Sequence, residues 1–321
     1  MLLKEDSSKV KCKLGVAFGP ESELYSFPGG HPLNNNRTKL FFDTLSKRDG
    51  VEIYRPTQCT VNDLTLFHKQ EYVDFVRNKS QSGEGFLDYG DTPAFHGVYE
   101  ASLYTVGSTL AGLKKISTGE LDHFFNPVGG LHHARKDRAG GFCVFNDAAV
   151  GIAKSLADGM SRIAYVDIDG HHGDGVYYGF EEDPRVIIGD IHEDGRFLYP
   201  GTGSAEETGI GAAAGTKLNI PLPPSSGDDT FFQGFERVLN FIEASEPEII
   251  FLQCGADGLR GDPLTHLNYS SEAHAYASRK LHDLSHRICG GKILAMGGGG
   301  YNAKNVRDAW MEVVQELSCN D

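Results

Sequence analysis

Hydrophobic positions follow two alternating rhythms along this chain. Short runs that are apolar almost throughout, among them RIAYVDID (162–169), EIIFLQCG (248–255) and KILAMGG (292–298), alternate with longer stretches whose apolar residues recur every three or four positions. The first rhythm suits strands covered on both faces, and the second suits one-sided helices. Strands are expected at 13–18, 51–54, 123–126, 162–169, 185–192, 216–222, 248–255 and 292–298. Helices are expected at 36–48, 61–78, 96–117, 146–158, 174–182, 229–244, 271–288 and 304–317, with Asp147 and Ser270 as caps. The alternation predicts an α/β fold with a mainly parallel central sheet, and no repeat or linker divides it, so one domain over 1–321 is expected.

In such sheets ligands bind beyond the carboxyl ends of the strands. Every unusual polar cluster falls there: GGLHHA after 123–126, DIDGHHGDG after RIAYV, HEDGRFLYPGTG after RVIIGDI, GADG after IIFLQC and GGGGY after KILAM. Five strand ends thus aim histidines, aspartates and glycines at one rim.

Composition narrows the function. Forty glycines in 321 residues, against roughly 7% in average usage, carry no three-residue period and so serve particular turns and close backbone approaches. A net charge of −14 disfavours direct binding to nucleic acid or anionic lipid and leaves cationic partners open. The six cysteines form no CxxC pair, the segment MLLKEDSSKVK lacks an apolar secretion core, and no apolar run approaches a membrane span. These features predict reduced thiols and an intracellular, cytoplasmic protein that does not enter a membrane.

The densest chemistry lies at 167–174. Along an extended strand residues two apart share a face, so Asp169 and His171 point the same way and can grip one cation. Asp257, at the end of another apolar strand, is the best third ligand, because a charged terminus buried without a metal or partner would be costly. His132 and His133 suit metal-assisted hydrolysis, in which water must lose a proton and a leaving amine must gain one. Two imidazoles do both jobs only if their proton affinities differ, and Asp167 and Asp174 are available to tune them. Tyr301, behind four glycines, can place its hydroxyl on a developing oxyanion. A phosphate-cradling loop is the weaker alternative there, since neither GxGxxG nor GK[ST] spacing occurs.

Taken together, GGLHHA (129–134), GGFCVFNDAA (140–149), YVDIDGHHGDGV (165–176), PGTG (200–203), QCGADGLRGDP (253–263) and GGGGYN (297–302) resemble the zinc-dependent histone deacetylase superfamily of the arginase/deacetylase fold. The resemblance runs from about 13 to 317, and GGHP (29–32) followed by Arg37 is similar to the acetoin-utilization-type proteins grouped with class I deacetylases. It implies a three-layer α/β/α sandwich with an eight-stranded sheet. It implies Asp169, His171 and Asp257 as ligands of Zn²⁺, or of Fe²⁺ in the cell. It pairs Asp167 with His132 and Asp174 with His133, makes His133 the general base, and gives Tyr301 the substrate carbonyl. Phe142 and Tyr199 would wall an acyl-lysine tunnel with Gly141 at its amide, Asp91 and Leu264 would form the rim, and Arg37 would lie near the acetate exit. A K⁺ or Na⁺ ion would sit at Asp167, Asp169, His171, Asp190 and Ile191.

The implied activity is removal of acetyl or related acyl groups from lysine side chains by metal-activated water. Alternatives are deacetylation of acetylpolyamines or another N-acyl metabolite, an inactive metal-bound reader of acyl-lysine, and a two-manganese site, which the sparse carboxylates disfavour. Three departures from the family pattern stand out. Asp190 occupies a position where serine is usual, which would strengthen cation binding or require different surroundings. Gly170 and Gly258 are smaller than usual, which puts tunnel width and packing around the metal in question. Glu193 and Asp194 are expected to add negative charge to the rim.

Overall fold

The computed structural model describes residues 12–318; the segment 1–11 and Cys319, on which the leader and one thiol reading fall, lie outside the described residues. Eight strands build one sheet: β1 (Leu14–Ala17), β2 (Glu52–Tyr54), β3 (His123–Asn126), β4 (Ile163–Asp167), β5 (Val186–Glu193), β6 (Lys217–Leu222), β7 (Ile249–Gln253) and β8 (Ile293–Met296). Their order is β2-β1-β3-β8-β7-β4-β5-β6, and every pairing is parallel. All strand carboxyl ends therefore open on the same edge of the sheet.

The helices are α1 (Asn36–Leu45), α2 (Val61–Leu64), α3 (Gln70–Ser82), α4 (Val98–Ser117), α5 (Asp147–Ala157), α6 (Asp174–Phe180), α7 (Asp228–Ser245), α8 (Glu272–Ile288) and α9 (Ala303–Ser318). Alternate residues of each strand feed two apolar layers. Tyr165, Phe251, Leu294 and Phe124 face α2 to α6, while Val166, Ile250, Leu252 and Phe125 face α1 and α7 to α9. The buried stripe of α9, Val306, Ala309, Trp310, Val313, Val314 and Leu317, shows the helical period that permits this one-sided burial. The result is the expected α/β/α sandwich. No helix among the described residues is long and apolar enough to cross a membrane.

Three local expectations need correction. The helix expected at 61–78 is two helices. Thr60 and Asp63 close a capping box on α2, and the chain then turns so that buried His68 can reach the Arg135 carbonyl (3.0 Å) and receive the Asn146 N–H (2.9 Å). The cap of α5 is Asn146, whose side chain accepts from Ala149 N–H. Asp147 instead points inward, accepting from Gly130 N–H (3.1 Å), Leu131 N–H (2.9 Å) and the Thr109 hydroxyl (2.6 Å). The N-cap position of α8 is Ser271, with no side-chain capping bond; Ser270, one residue earlier, accepts from Glu272 N–H.

Candidate active site

β4 ends at Asp167, so Asp169 and His171 lie beyond it and converge through a turn rather than through the alternation of an extended strand. The turn is held by side chains acting on backbone: Asp167 accepts from Asp169 N–H (3.0 Å), Asp169 from His171 N–H (3.0 Å), and Asp257 from Gly170 N–H (2.7 Å). Asp169, His171 and Asp257 are all buried and offer ligand atoms within 4.8 Å of one another. His171 Nδ1 lies 3.1 Å from Asp169 and 3.0 Å from Asp257. Burial works against a charged ring here, yet the Asp257 and Asp169 carboxylates carry the proton affinity of His171 up to about 10. Two buried carboxylates are thus balanced by one imidazole proton at the place where a cation would sit. This donor set of two oxygens and one nitrogen fits a divalent ion with an open position.

The backbone comes exceptionally close to these ligands. A Cβ at Gly255 would lie 1.9 Å from Asp169 Oδ2, and one at Gly299 would lie 2.1 Å from Asp257 Oδ2, so glycine is required at both positions by contact alone.

The histidine pair forms two separate dyads. His132 Nδ1 donates to Asp167 (2.8 Å), His133 Nδ1 donates to Asp174 (2.7 Å), and the two Nε2 atoms are 3.0 Å apart. Burial opposes charge on His132, but Asp167 and Asp169 push its affinity up to about 9. Burial and the neighbouring His132 charge push His133 down to about 4. Of the four ring nitrogens, only His133 Nε2 is then left without a proton, and it accepts from His132 Nε2–H. Arg135 clamps the other side of Asp174 through Nε (3.1 Å) and Nη2 (2.7 Å).

A cavity of about 240 Å³ opens over these groups. His132, His133, Asp169, His171, Gly141, Phe142, Tyr199, Tyr301, Asp91 and Leu264 all line it. Tyr199 stacks its edge on His133 (ring centroids 5.0 Å), and Phe142 meets Tyr301 edge to face (5.8 Å). Burial holds the Tyr301 hydroxyl protonated. Gly141 has φ +53°, and a Cβ there would lie 2.3 Å from His133 Cδ2. At the rim, burial and Asp88 raise Asp91 to about 6.

Arg37 is not in the cavity wall. It lies buried behind the glycine turn, donating to the carbonyls of Gly300 (2.9 Å) and Gly298 (3.0 Å). Asp167, the last residue of β4, is the register partner of Asp190 within β5, with Ile191 following. The Asp190 carboxylate accepts from His192 Nδ1 (2.6 Å) and Gly173 N–H (2.9 Å).

The small residues at 170 and 258 are compensated by their neighbours. A Cβ at Gly170 would meet Thr265 Cγ2 at 2.7 Å, and one at Gly258 would meet the Tyr269 ring at 2.7 Å. The rim charge is also lower than expected: the buried Glu193 accepts from His266 Nδ1 (2.7 Å) and N–H (2.8 Å), and Asp194 is paired with Arg196.

Four contributors were not singled out from sequence. Gln253 Nε2 donates to Asp169 (2.8 Å) and fixes its second oxygen. Asp262 accepts from Tyr301 N–H (2.7 Å) and Leu264 N–H (3.0 Å), holding both residues over the cavity; its own carboxyl is raised to about 7 by burial and Asp257. His31 packs its ring against Phe142 (4.5 Å) and donates to the Asp91 carbonyl (3.1 Å). His192 neutralises Asp190. Gln253 and Asp262 sit inside QCGADGLRGDP, so their position in that block was the available signal.

Three buried groups able to hold a metal, set beside two histidine–aspartate dyads at the carboxyl edge of a parallel sheet, point to a class, and comparison with known proteins gives it: residues 31–317 match the histone deacetylase domain, and the chain belongs to that family. Within the family it falls in the acetoin-utilization-type branch. It is 37% identical over 312 residues to the acetoin utilization protein AcuC of Bacillus subtilis, covering 94% of this chain and 81% of that one. It is 34% identical to the histone deacetylase RPD3 of Saccharomyces cerevisiae, covering 93% and 70%. The crystal structure of a histone deacetylase homologue from Aquifex aeolicus superposes with a TM-score of 0.86 at 31% identity, covering 96% and 85%.

Proposed function

We propose that this chain is a zinc-dependent amidohydrolase that removes acetyl or related acyl groups from lysine side chains, with residues 1–321 acting as one catalytic domain. The observation that carries this reading is the pair of unlike histidine–aspartate dyads beside Asp169, His171 and Asp257, in a cavity walled by Phe142 and Tyr199. These three residues would hold Zn²⁺, or Fe²⁺ in the cell, which polarises the amide carbonyl and makes water acidic when bound. His133 Nε2, the one unprotonated ring nitrogen of the pair, takes the proton from water and returns it to the departing lysine amine. Asp174 keeps His133 in that tautomer. His132 keeps its positive charge beside the reacting oxygens, balanced by Asp167. Tyr301, its hydroxyl protonated, donates to the amide oxygen as charge builds there. Gly141 and the two aromatic rings pack along the acyl-lysine stem, while Asp91 and Leu264 receive the peptide at the rim.

We further propose K⁺ or Na⁺ at the backbone of Asp167, Asp169, His171, Asp190 and Ile191, and Arg37 as a guide for departing acetate. A cytoplasmic setting is supported by the buried, unbridged thiols of Cys59, Cys143, Cys254 and Cys289.

The test is a panel of acyl-lysine peptides and acetylpolyamines, assayed with and without chelator. Acetyl-lysine peptides should be turned over best, and chelator, Tyr301→Phe and His133→Ala should each abolish turnover while the fold persists. Preference for acetylspermidine would move the substrate to polyamines. Stoichiometric zinc without any hydrolysis would indicate a binding module, and wild-type turnover in both variants would overturn the mechanism.

A further inference from the structure

The end of the sheet opposite the cavity carries a second group of metal-ligating side chains, drawn from three distant segments. Cys12 precedes β1, His123 opens β3, and His282 and His286 lie one turn apart near the C-terminal end of α8. Cys12 Sγ is 3.3 Å from His282 Nε2 and 3.3 Å from His286 Nε2. The three imidazoles surround one point, with ring centroids 5.1 Å (His123–His282), 5.7 Å (His123–His286) and 4.6 Å (His282–His286) apart. One donor atom from each of the four residues lies within 4.8 Å of the others.

His123 is the telling member. It is fully buried, and neither Nδ1 nor Nε2 finds a hydrogen-bond partner. A buried imidazole normally satisfies both nitrogens, and leaving one unmet is costly. Packing three imidazoles around a thiol is otherwise a poor use of a sheet end, because no pair of them can carry charge without repelling the third. A metal ion removes both difficulties by accepting a lone pair from each ring.

We propose that Cys12, His123, His282 and His286 form a structural metal site that takes Zn²⁺ in a four-coordinate sulfur–nitrogen shell. One thiolate and three imidazoles suit zinc, cobalt or nickel rather than magnesium or calcium, which prefer oxygen. Binding would release the Cys12 thiol proton to solvent. The two net charges of the ion are met by the thiolate, by Asp122 and Asp283 beside His282, and by the carbonyl end of α8. Gly291 brings the following turn against the His286 ring, where a Cβ would lie 2.6 Å from Cε1, closing the site from outside. Such an ion would staple the start of β1 and β3 to α8, away from all the chemistry at the other edge.

Metal counting combined with cobalt spectroscopy tests this. Metal-free protein reconstituted with Zn²⁺ should hold two equivalents per chain, falling to one in Cys12→Ser or His286→Gln. Asp257→Asn, altered only at the other cavity, should still hold its second ion. Loaded with Co²⁺, wild-type protein and Asp257→Asn should show a thiolate-to-cobalt charge-transfer band in the near ultraviolet, and Cys12→Ser should not. The Asp169, His171 and Asp257 group contains no sulfur, so the band reports the new site alone and separates it from a two-metal active centre. One equivalent of metal and no charge-transfer band in folded wild-type protein would overturn the proposal, as would a band that survives in Cys12→Ser.

Discussion

Replacing Asp174 with asparagine asks which tautomer His133 needs. In the native dyad Asp174 Oδ1 accepts from His133 Nδ1–H, while Oδ2 accepts both hydrogens of the Arg135 fork. Arg135 can only donate, so an asparagine at 174 must turn its carbonyl toward the guanidinium. Its amino group then faces His133 Nδ1, and the ring must accept there and carry its proton on Nε2. That places an N–H on His133 Nε2 against the N–H of His132 Nε2, 3.0 Å away. Two donors facing each other at that distance repel, a state the native pair meets only transiently, while His133 carries the proton taken from water. The change removes a charge-assisted hydrogen bond of about 1.5–3 kcal/mol and leaves no unprotonated Nε2 to act as base. Loss of general-base catalysis costs about 10²–10⁴ in rate. We expect Asp174→Asn to lower kcat for acetyl-lysine peptide hydrolysis within that range with little change in KM, and ¹⁵N spectra of the imidazoles to report the tautomer exchange. Adding Arg135→Met frees the amide to flip, so the double variant should recover part of the loss. Near-wild-type kcat in Asp174→Asn, or a double variant no faster than the single one, would refute the reasoning.

Three further outcomes are expected. Asp257→Asn removes a negative charge from the three-ligand group, and should lose activity at zinc concentrations that saturate wild type; titration of the metal-free enzyme with Zn²⁺ measures the shift. Gly141→Ala sets a methyl group against His133 Cδ2 at a positive φ, and should lower kcat at least about tenfold, with a stability cost of about 1–3 kcal/mol; urea unfolding and steady-state kinetics separate the two effects. His68 is held by burial at about 3, whereas an unfolded histidine titrates near 6.5. The unfolded chain therefore binds the extra proton between those values, and stability is full above about pH 6.5 and falls as pH drops toward 3. At pH 5 the His68 share of the loss is about 2 kcal/mol, so His68→Gln should show a shallower fall in urea midpoint between pH 7.5 and pH 5 than wild type.

Much of the architecture was readable because the central strands of this sheet, such as β4, β7 and β8, are buried on both faces and so are apolar along nearly their whole length. All eight strands appear at the expected places; β3 matches its expected bounds, β5 runs one residue further to Glu193, and most of the others are a residue or two shorter at an end. The helix at 61–78 was misread because the apolar rhythm continues through Leu66, Phe67 and Tyr72, while the break depends on His68 finding partners on residues 135 and 146, which local pattern cannot contain. The same holds at the site. Asp169 and His171 could be paired from their spacing, but the reason offered, a shared strand face, was wrong; a turn held by aspartates does the work. Gln253 and Asp262 act on Asp169 and Tyr301 across long separations, and the hold of Arg37 on the Gly298 and Gly300 carbonyls spans more than 260 residues. The opposite-end cluster was hidden for the same reason, although the i, i+4 spacing of His282 and His286 on one helix was a signal available in the sequence.

The inward-facing Asp147 ties the first residues of α5, the Thr109 hydroxyl of α4 and the backbone just before His132 into one knot with no exposed member. The proton-handling loop is therefore anchored to two core helices rather than to its neighbours at the mouth. The mouth itself is furnished by other connections, around Leu33, Asp91 and Leu264, none of which shares that anchor. Substitutions in those connections can reshape what enters without disturbing the dyads, so this scaffold separates inheritance of the reaction from drift in the choice of substrate.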